Sequence, residues 1–320
     1  MPSSQRPVDG VVERLPDAPA VGRYVSSKWG FSTVSYWLEG PRGVVLVDTQ
    51  FLPSAAEELI AVAEQHTGKP VVAAIVLHAN PDKFNGTATL QARGIEVLTS
   101  AQVLEQIPSV HAKRTAAFGE RYAPDYPAVE PRPHSFGDAI TTLALGGLEL
   151  TAHVLGPGCS AAHVALTWDG HLFVGDLVAS GAHSWMELGR SDQWLARIDE
   201  LRALGADRVH PGRGASGGPA LLTAQAQYLR RVQALVRAEH DALTNAGHQP
   251  SDREVDDALA RIEQALKQEF SGYAYPVFLR IGLPAEWQRL DRTRTAESPG
   301  SGGRGSLPAH ANLEGSRDSL

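Results

Sequence analysis

A single cysteine, Cys159, stands in 320 residues, which excludes an internal disulfide and any multi-cysteine zinc cluster. Basic charge is not in excess either. With 29 Lys and Arg against 36 Asp and Glu the formal charge is -7, and a nucleic-acid backbone demands a basic face, so nucleic acid is not expected as a partner. No apolar run approaches the roughly 18 residues needed to cross a bilayer, so no membrane partner is expected. The opening MPSSQRPVDG has no basic segment followed by an apolar core. No signal peptide is read there, and the expected location is the cytoplasm. What remains is an ordinary composition, 42% hydrophobic and 20% charged, in a chain long enough for one large α/β domain with appendages.

The stretch that organises the chain is Val71 to Gly86, VVAAIVLHANPDKFNG. Small and apolar residues run into His78 and a tight polar turn follows, so a buried strand should deliver side chains into a site at its C-terminal end. Upstream, residues 1–18 read as a loose lead-in. Phe31 to Leu38 and Val44 to Val47 read as a hairpin around Gly40-Pro41, and Pro53 to His66 as a helix packed on the sheet. Thr87 to Ala92, Ile95 to Leu98 and Ala101 to Phe118 continue a βαβ alternation. Arg121 to Phe136 is too rich in Pro, Tyr and Asp for a regular element. Ile140 to Leu145 with Leu148 to Leu155, and His163 to Trp168 with His171 to Val174, give two further hairpins. Ser191 to Leu204 is an amphipathic helix and Arg208 to His210 a short strand. Helices of roughly 219–246 and 251–270 are expected beyond Gly218, and a disordered polar tail over 295–320.

Five landmarks recur in an order that resembles the metallo-β-lactamase superfamily. Asp48 closes an early strand. His78, Asn80, Asp82 and Lys83 fall where the family carries H-x-H-x-D-H. Gly156-Pro157-Gly158-Cys159 falls on its G-x-G-H segment, with His163 four residues on. Leu172 to Asp176 ends in the family's Gly-Asp, and Pro211-Gly212-Arg213-Gly214 matches P-G-H-G except at Arg213. The resemblance implies an α/β fold, a four-layer αββα sandwich over residues 19–217, with a C-terminal helical appendage over 218–294.

In that family one metal takes three histidines, and the other takes the motif aspartate and two histidines, with the counterpart of Asp176 shared. Here the first set reads His78, Asn80, Cys159 and the second Asp82, Lys83, Arg213. Arginine has no free lone pair and lysine is normally protonated, so the second set does not hold a dication. Two carboxylates left without their metal would compete for a proton. Lys83 and Arg213 are expected to replace that metal electrostatically, and Asp82, Lys83 and Arg213 are the candidate catalytic residues if the protein is a catalyst. His78, Asn80, Cys159 and Asp176 could hold at most one zinc or iron ion, nitrogen and sulfur donors suiting both. Cys159 is otherwise a small buried apolar residue, or a nucleophile with His78 or His163 as base. Asp48 and His163 are assigned supporting positions, and His183 and Trp185 the binding of a small organic ligand. Two functions stay open: a hydrolase-like protein with an incomplete binuclear site, acting on a small-molecule ester, lactone, thioester or related bond; or an inactive pseudoenzyme that kept the fold for binding or oligomerisation, with a homodimer as the self-association considered.

Overall fold

A computed structural model of the chain describes residues 10–15, 18–244 and 250–297. Val11–Leu15 (β1) and Ala18–Val25 (β2) open it as an antiparallel pair. This corrects the expected loose lead-in from residue 11 onward, while residues 1–9, 16 and 17 lie outside the described residues. Adjacent Glu13 and Arg14 break the alternation that marks a strand, so β1 is identified only by its cross-strand partner. Val34–Glu39 (β3) and Val44–Val47 (β4) follow, then Pro53–Thr67 (α1), Val71–Ile75 (β5), Pro81–Phe84 (α2), Thr87–Ala92 (α3), Glu96–Thr99 (β6), Ala101–Tyr122 (α4) and His134–Ser135 (β7). The seven strands pair in sequence order, antiparallel from β1 to β4 and parallel from β4 to β7. Strands β4 and β5 are apolar at nearly every position because they are covered on both faces, as parallel strands require.

Thr141–Leu145 (β8), Leu148–Leu155 (β9), His163–Trp168 (β10), His171–Ala179 (β11), Ser191–Ala203 (α5) and Arg208–Arg213 (β12) build the second sheet in the order β12-β11-β10-β9-β8. Asp169 and Gly170 turn β10 into β11 with φ of 46° and 76°, the two positive values that a tight hairpin turn of this hand requires. The sheets face each other across one apolar core, where Tyr36 of β3 meets Phe173 of β11 edge to face at 5.4 Å. At the site end they are joined directly: the Val164 amide donates to the Leu77 carbonyl at 2.6 Å. Helices α1 and α3 cover the first sheet, giving the expected αββα layering.

Ala220–Thr244 (α6), Asp252–Glu269 (α7) and Val277–Glu297 (α8) form the C-terminal appendage. With α5 they bury a second apolar cluster against the outer face of the second sheet, around Trp194, Leu229 and Trp287. Helix α7 begins with a capping box between Ser251 and Glu254. Helix α8 was not expected from the sequence: Gly282 and Pro284 interrupt it, and its apolar residues lack a sustained helical period. Gly282 is where α8 presses on the loop after β11, since a Cβ there would lie 2.8 Å from Met186 Cβ. Residues 298–320, most of the expected tail, lie outside the described residues, and 295–297 continue α8. No helix among the described residues is long and apolar enough to cross a membrane.

One fully buried carboxylate ties the appendage to the sandwich. Glu286 accepts the Ser191 amide at 3.1 Å and the Ser191 hydroxyl at 2.6 Å, and it accepts Arg289 Nε at 2.8 Å. It therefore satisfies the start of α5 from α8. Glu286→Ala should lower stability by about 3 kcal/mol, because it leaves Arg289 buried beside an unpaired amide. Urea unfolding should show the lower midpoint at unchanged slope, and Glu286→Gln, which keeps an acceptor, should cost clearly less.

Candidate functional site: an ion-pair cluster beneath an aromatic cleft

Four strand ends meet here. Asp48, just past β4, adopts a positive φ of 65° and accepts the Leu77 amide at 2.8 Å, which pins the end of β4 to the chain leaving β5. The turn that follows carries His78, Asn80, Asp82 and Lys83. The Lys83 carbonyl accepts both the amide and the hydroxyl of Thr49 at 2.8 Å, so the backbone under the lysine is fixed. From the second sheet, β11 brings Asp176 and β12 brings Arg213. Gly212 has to be glycine: a Cβ would lie 2.1 Å from Asp176 Oδ1.

These residues converge on one cluster. Lys83 Nζ lies 3.0 Å from Asp82 Oδ2 and 2.9 Å from Asp176 Oδ1. Arg213 Nη2 lies 2.7 Å from Asp82 Oδ2 and 3.6 Å from Asp176 Oδ2, and its Nη1 donates to the Phe31 carbonyl. Lys83 is completely buried, and the other three are less than a tenth exposed. Burial opposes the charge on Lys83 and on Asp176, but the opposite charges win: Asp176 and Asp82 hold the lysine above its usual range, while Lys83 and Arg213 hold Asp176 below the carboxylate range. Burial also pushes Asp48 up to about 8, against the opposing pull of Lys83.

Behind the cluster lie His78, Cys159 and His163, whose donor atoms all fall within 4.8 Å of one another. This differs from the expected set of His78, Asn80, Cys159 and Asp176. Asp176 pairs with Lys83 through Oδ1 while its Oδ2 stays 3.8 Å from His78 Nε2, Asn80 lines the cleft, and His163, assigned only a supporting position, joins His78 and Cys159. Both inward nitrogens have backbone partners: His163 Nε2 accepts the Ser160 amide at 3.1 Å, and His78 Nε2 the Asp176 amide at 3.4 Å. Cys159 Sγ sits 3.8 Å from His163 Nε2.

Above the cluster a cleft opens to solvent. Phe31, Phe51, Phe118, Trp185 and Phe278 wall it, and Asn80, Asp82, Asp176, Arg213 and Arg114 supply its polar lining. Trp185, one of the two residues expected to bind a ligand, lines the cleft. His183 is not: its Nδ1 lies 2.9 Å from the Tyr228 hydroxyl, inside the contact between the second sheet and the appendage. Two residues along a loop separate them because the chain there is itself paired, the His183 amide donating to the Ala274 carbonyl and the Ala274 amide to the Gly181 carbonyl, both at 2.9 Å. Phe278, Phe118 and Arg114 were missed, since nothing local in α4 or α8 marks a residue as facing a cleft built by the other sheet.

A family model described as the metallo-beta-lactamase superfamily matches residues 29–213. Over 68 residues the chain is 35% identical to the metallo-beta-lactamase type 2 of Bacillus cereus, a stretch that covers 21% of this chain and 27% of that protein. The chain thus aligns with about a quarter of that relative's length. Among solved structures, a metallo-beta-lactamase from Pontibacter korlensis superposes with a TM-score of 0.54 at 23% identity, over 69% of this chain and 99% of that one. The metallo-beta-lactamase FIM-1 from Pseudomonas aeruginosa, in a mono-zinc form, superposes with a TM-score of 0.55 at 20% identity, over 70% and 96%. At such identities the likeness to solved structures is one of fold.

Burial lowers His78 to about 4 and His210 to about 3, and holds His163 well below its usual range. In the unfolded chain these rings take up protons below about 6.5, so stability should fall as pH drops from about 6.5 toward 4. Asp48 acts in the opposite sense, because its native form keeps a proton that the unfolded chain has released above about 4; that contribution is lost as pH rises through about 8. Three rings outweigh one carboxyl on the acid side. The urea midpoint should therefore peak near neutral pH, and Asp48→Asn should flatten its alkaline decline; a midpoint that rises from about pH 7 to about pH 5 contradicts this.

Cys159 is 2% exposed, and burial together with the Asp176 charge pushes its thiol well up. Iodoacetamide should leave it untouched in the native protein and modify it once urea unfolds the chain. Rapid stoichiometric alkylation of native protein is the contrary result.

Proposed function

The chain belongs to the metallo-beta-lactamase superfamily, and from that premise we propose that it is a small-molecule-binding protein in which an ion-pair cluster replaces the family's binuclear metal centre. One observation carries the reading: a fully buried ammonium, Lys83 Nζ, lies within 3.0 Å of both carboxylates that would share or hold the metals, and Arg213 pairs with the same Asp82 oxygen as the lysine. A dication would have to displace one fixed cation and sit beside another, so a second metal does not fit these residues. The cluster neutralises Asp82 and Asp176 and leaves the cleft above them as a formed, largely aromatic site.

A second reading keeps hydrolysis of an ester, lactone, thioester or related bond at a single zinc or iron ion. The proximity of His78, Cys159 and His163 favours it. Against it, the inward ring nitrogens already accept backbone amides, and none of the three residues lines the cleft.

Elemental analysis of protein purified without added metal separates the two. The binding reading expects far less than one zinc or iron ion per chain, and one or more ions per chain overturns it. The double variant Lys83→His, Arg213→His should raise the bound zinc, because it restores imidazole donors beside Asp82 and Asp176. Zinc content unchanged in the folded double variant would contradict the assignment of those two positions.

A further inference from the structure

The charges facing the cleft cancel. Asp82 and Asp176 line it with Arg213 and Arg114. Directly behind, Lys83 pairs with the two aspartates and Glu187 accepts from Arg114. Lys113 also reaches Glu187, but its side chain is 55% exposed and screened by solvent. The surfaces that could greet an ionic ligand are committed as well. Arg213 spends its Nη groups on Phe31 and Asp82, and its guanidinium carbon lies 5.7 Å from the Tyr275 ring centroid and 5.5 Å from that of Phe278. Arg114 lies over Trp185 at 5.0 Å. An anion finds no unpaired cation, and an ammonium finds two of the aromatic rings already holding guanidiniums.

The turn leading into the Phe278 wall carries a second signal. Tyr275 adopts a φ of 58°, a left-handed conformation strained for a tyrosine, in the turn that precedes α8. Backbone strain of this kind persists where surrounding structure imposes it, and it clusters around ligand sites. Phe278 follows three residues on. It lies outside the segment 29–213 that matches the family, so this wall belongs to the chain's own appendage.

We infer that the cleft takes an uncharged, ring-bearing small molecule with one hydrogen-bonding head, the ring held among Phe31, Phe118 and Phe278 and the head directed to Asn80 and Asp82. A charged ligand would give up its water without meeting a counter-charge, whereas a neutral ring stacks on the walls and its head meets the polar floor. The inference rests on the metal-free reading above, since a dication in the floor would change the charge the cleft presents.

The test is calorimetric titration with three probes of one shape: naphthalenemethanol, naphthoate and naphthylmethylammonium. The neutral probe should bind about tenfold more tightly than either ion. Phe278→Leu and Phe118→Leu, each checked for native circular dichroism and thermal midpoint, should weaken it about fivefold. Glu187→Gln keeps an acceptor for Trp185 and removes the charge opposite Arg114, so it should raise naphthoate affinity about fivefold and leave the alcohol unchanged. Either ion binding the native protein as tightly as the alcohol, no probe binding at all, or neutral binding indifferent to both leucine variants overturns the inference. Metal content measured on the same preparation keeps the two failures apart. A metal-bearing protein refutes the ion-pair reading, and a metal-free protein without the neutral preference refutes only this inference.

Discussion

Lys83 is the buried charge around which the two sheets close. An ammonium taken wholly out of water is tolerated only beside opposite charge, and here the partners come from different layers: Asp82 from its own turn, Asp176 from β11. Arg213 adds a second cation from β12, on the same Asp82 oxygen as Lys83 and on the other oxygen of Asp176. The cluster adds little net stability, because desolvation offsets most of the attraction. What it does fix is register. A slip of one residue in β11 or β12 would turn Asp176 or Arg213 to the opposite face and strand a charge in the core.

The same requirement explains the glycines and tight turns nearby. Gly212 lets β12 pass against Asp176, and Asp48 ties the ends of β4 and β5 together through the Leu77 amide. Neither residue contacts the cleft, yet each sets the position of one that does. The apolar core between the sheets supplies rigidity, and the polar end of that core supplies the site, where the parallel pairs β4–β5 and β11–β12 end.

Much of the fold was legible because its signals are local. Thr87–Ala92, Leu148–Leu155 and His163–Trp168 appear at the expected bounds, since turn residues punctuate them on both sides. β1 and α8 were not legible: the first has polar residues stabilised only by its partner strand, and the second carries a glycine and a proline inside a helix that packing sustains. At the site, motif order placed Asp82, Lys83, Asp176 and Arg213 in one neighbourhood. It could not place Arg114 against Glu187, 73 positions away, or send His183 to Tyr228 while Trp185 faces the cleft. Those outcomes depend on how α4 and the appendage dock, which no local pattern encodes.

The short ladder between Gly181–His183 and Ala274 has a mechanical consequence. It joins the loop bearing Trp185 to the turn that leads through Tyr275 into Phe278 of α8, so two walls from distant parts of the chain are tied together. Trp185 and Phe278 also meet edge to face at 5.0 Å, and Phe278 with Tyr275 lies against the Arg213 guanidinium. The walls above the ion-pair floor thus depend on the seating of α8, and breaking that ladder would expose the His183 and Ala274 amides together.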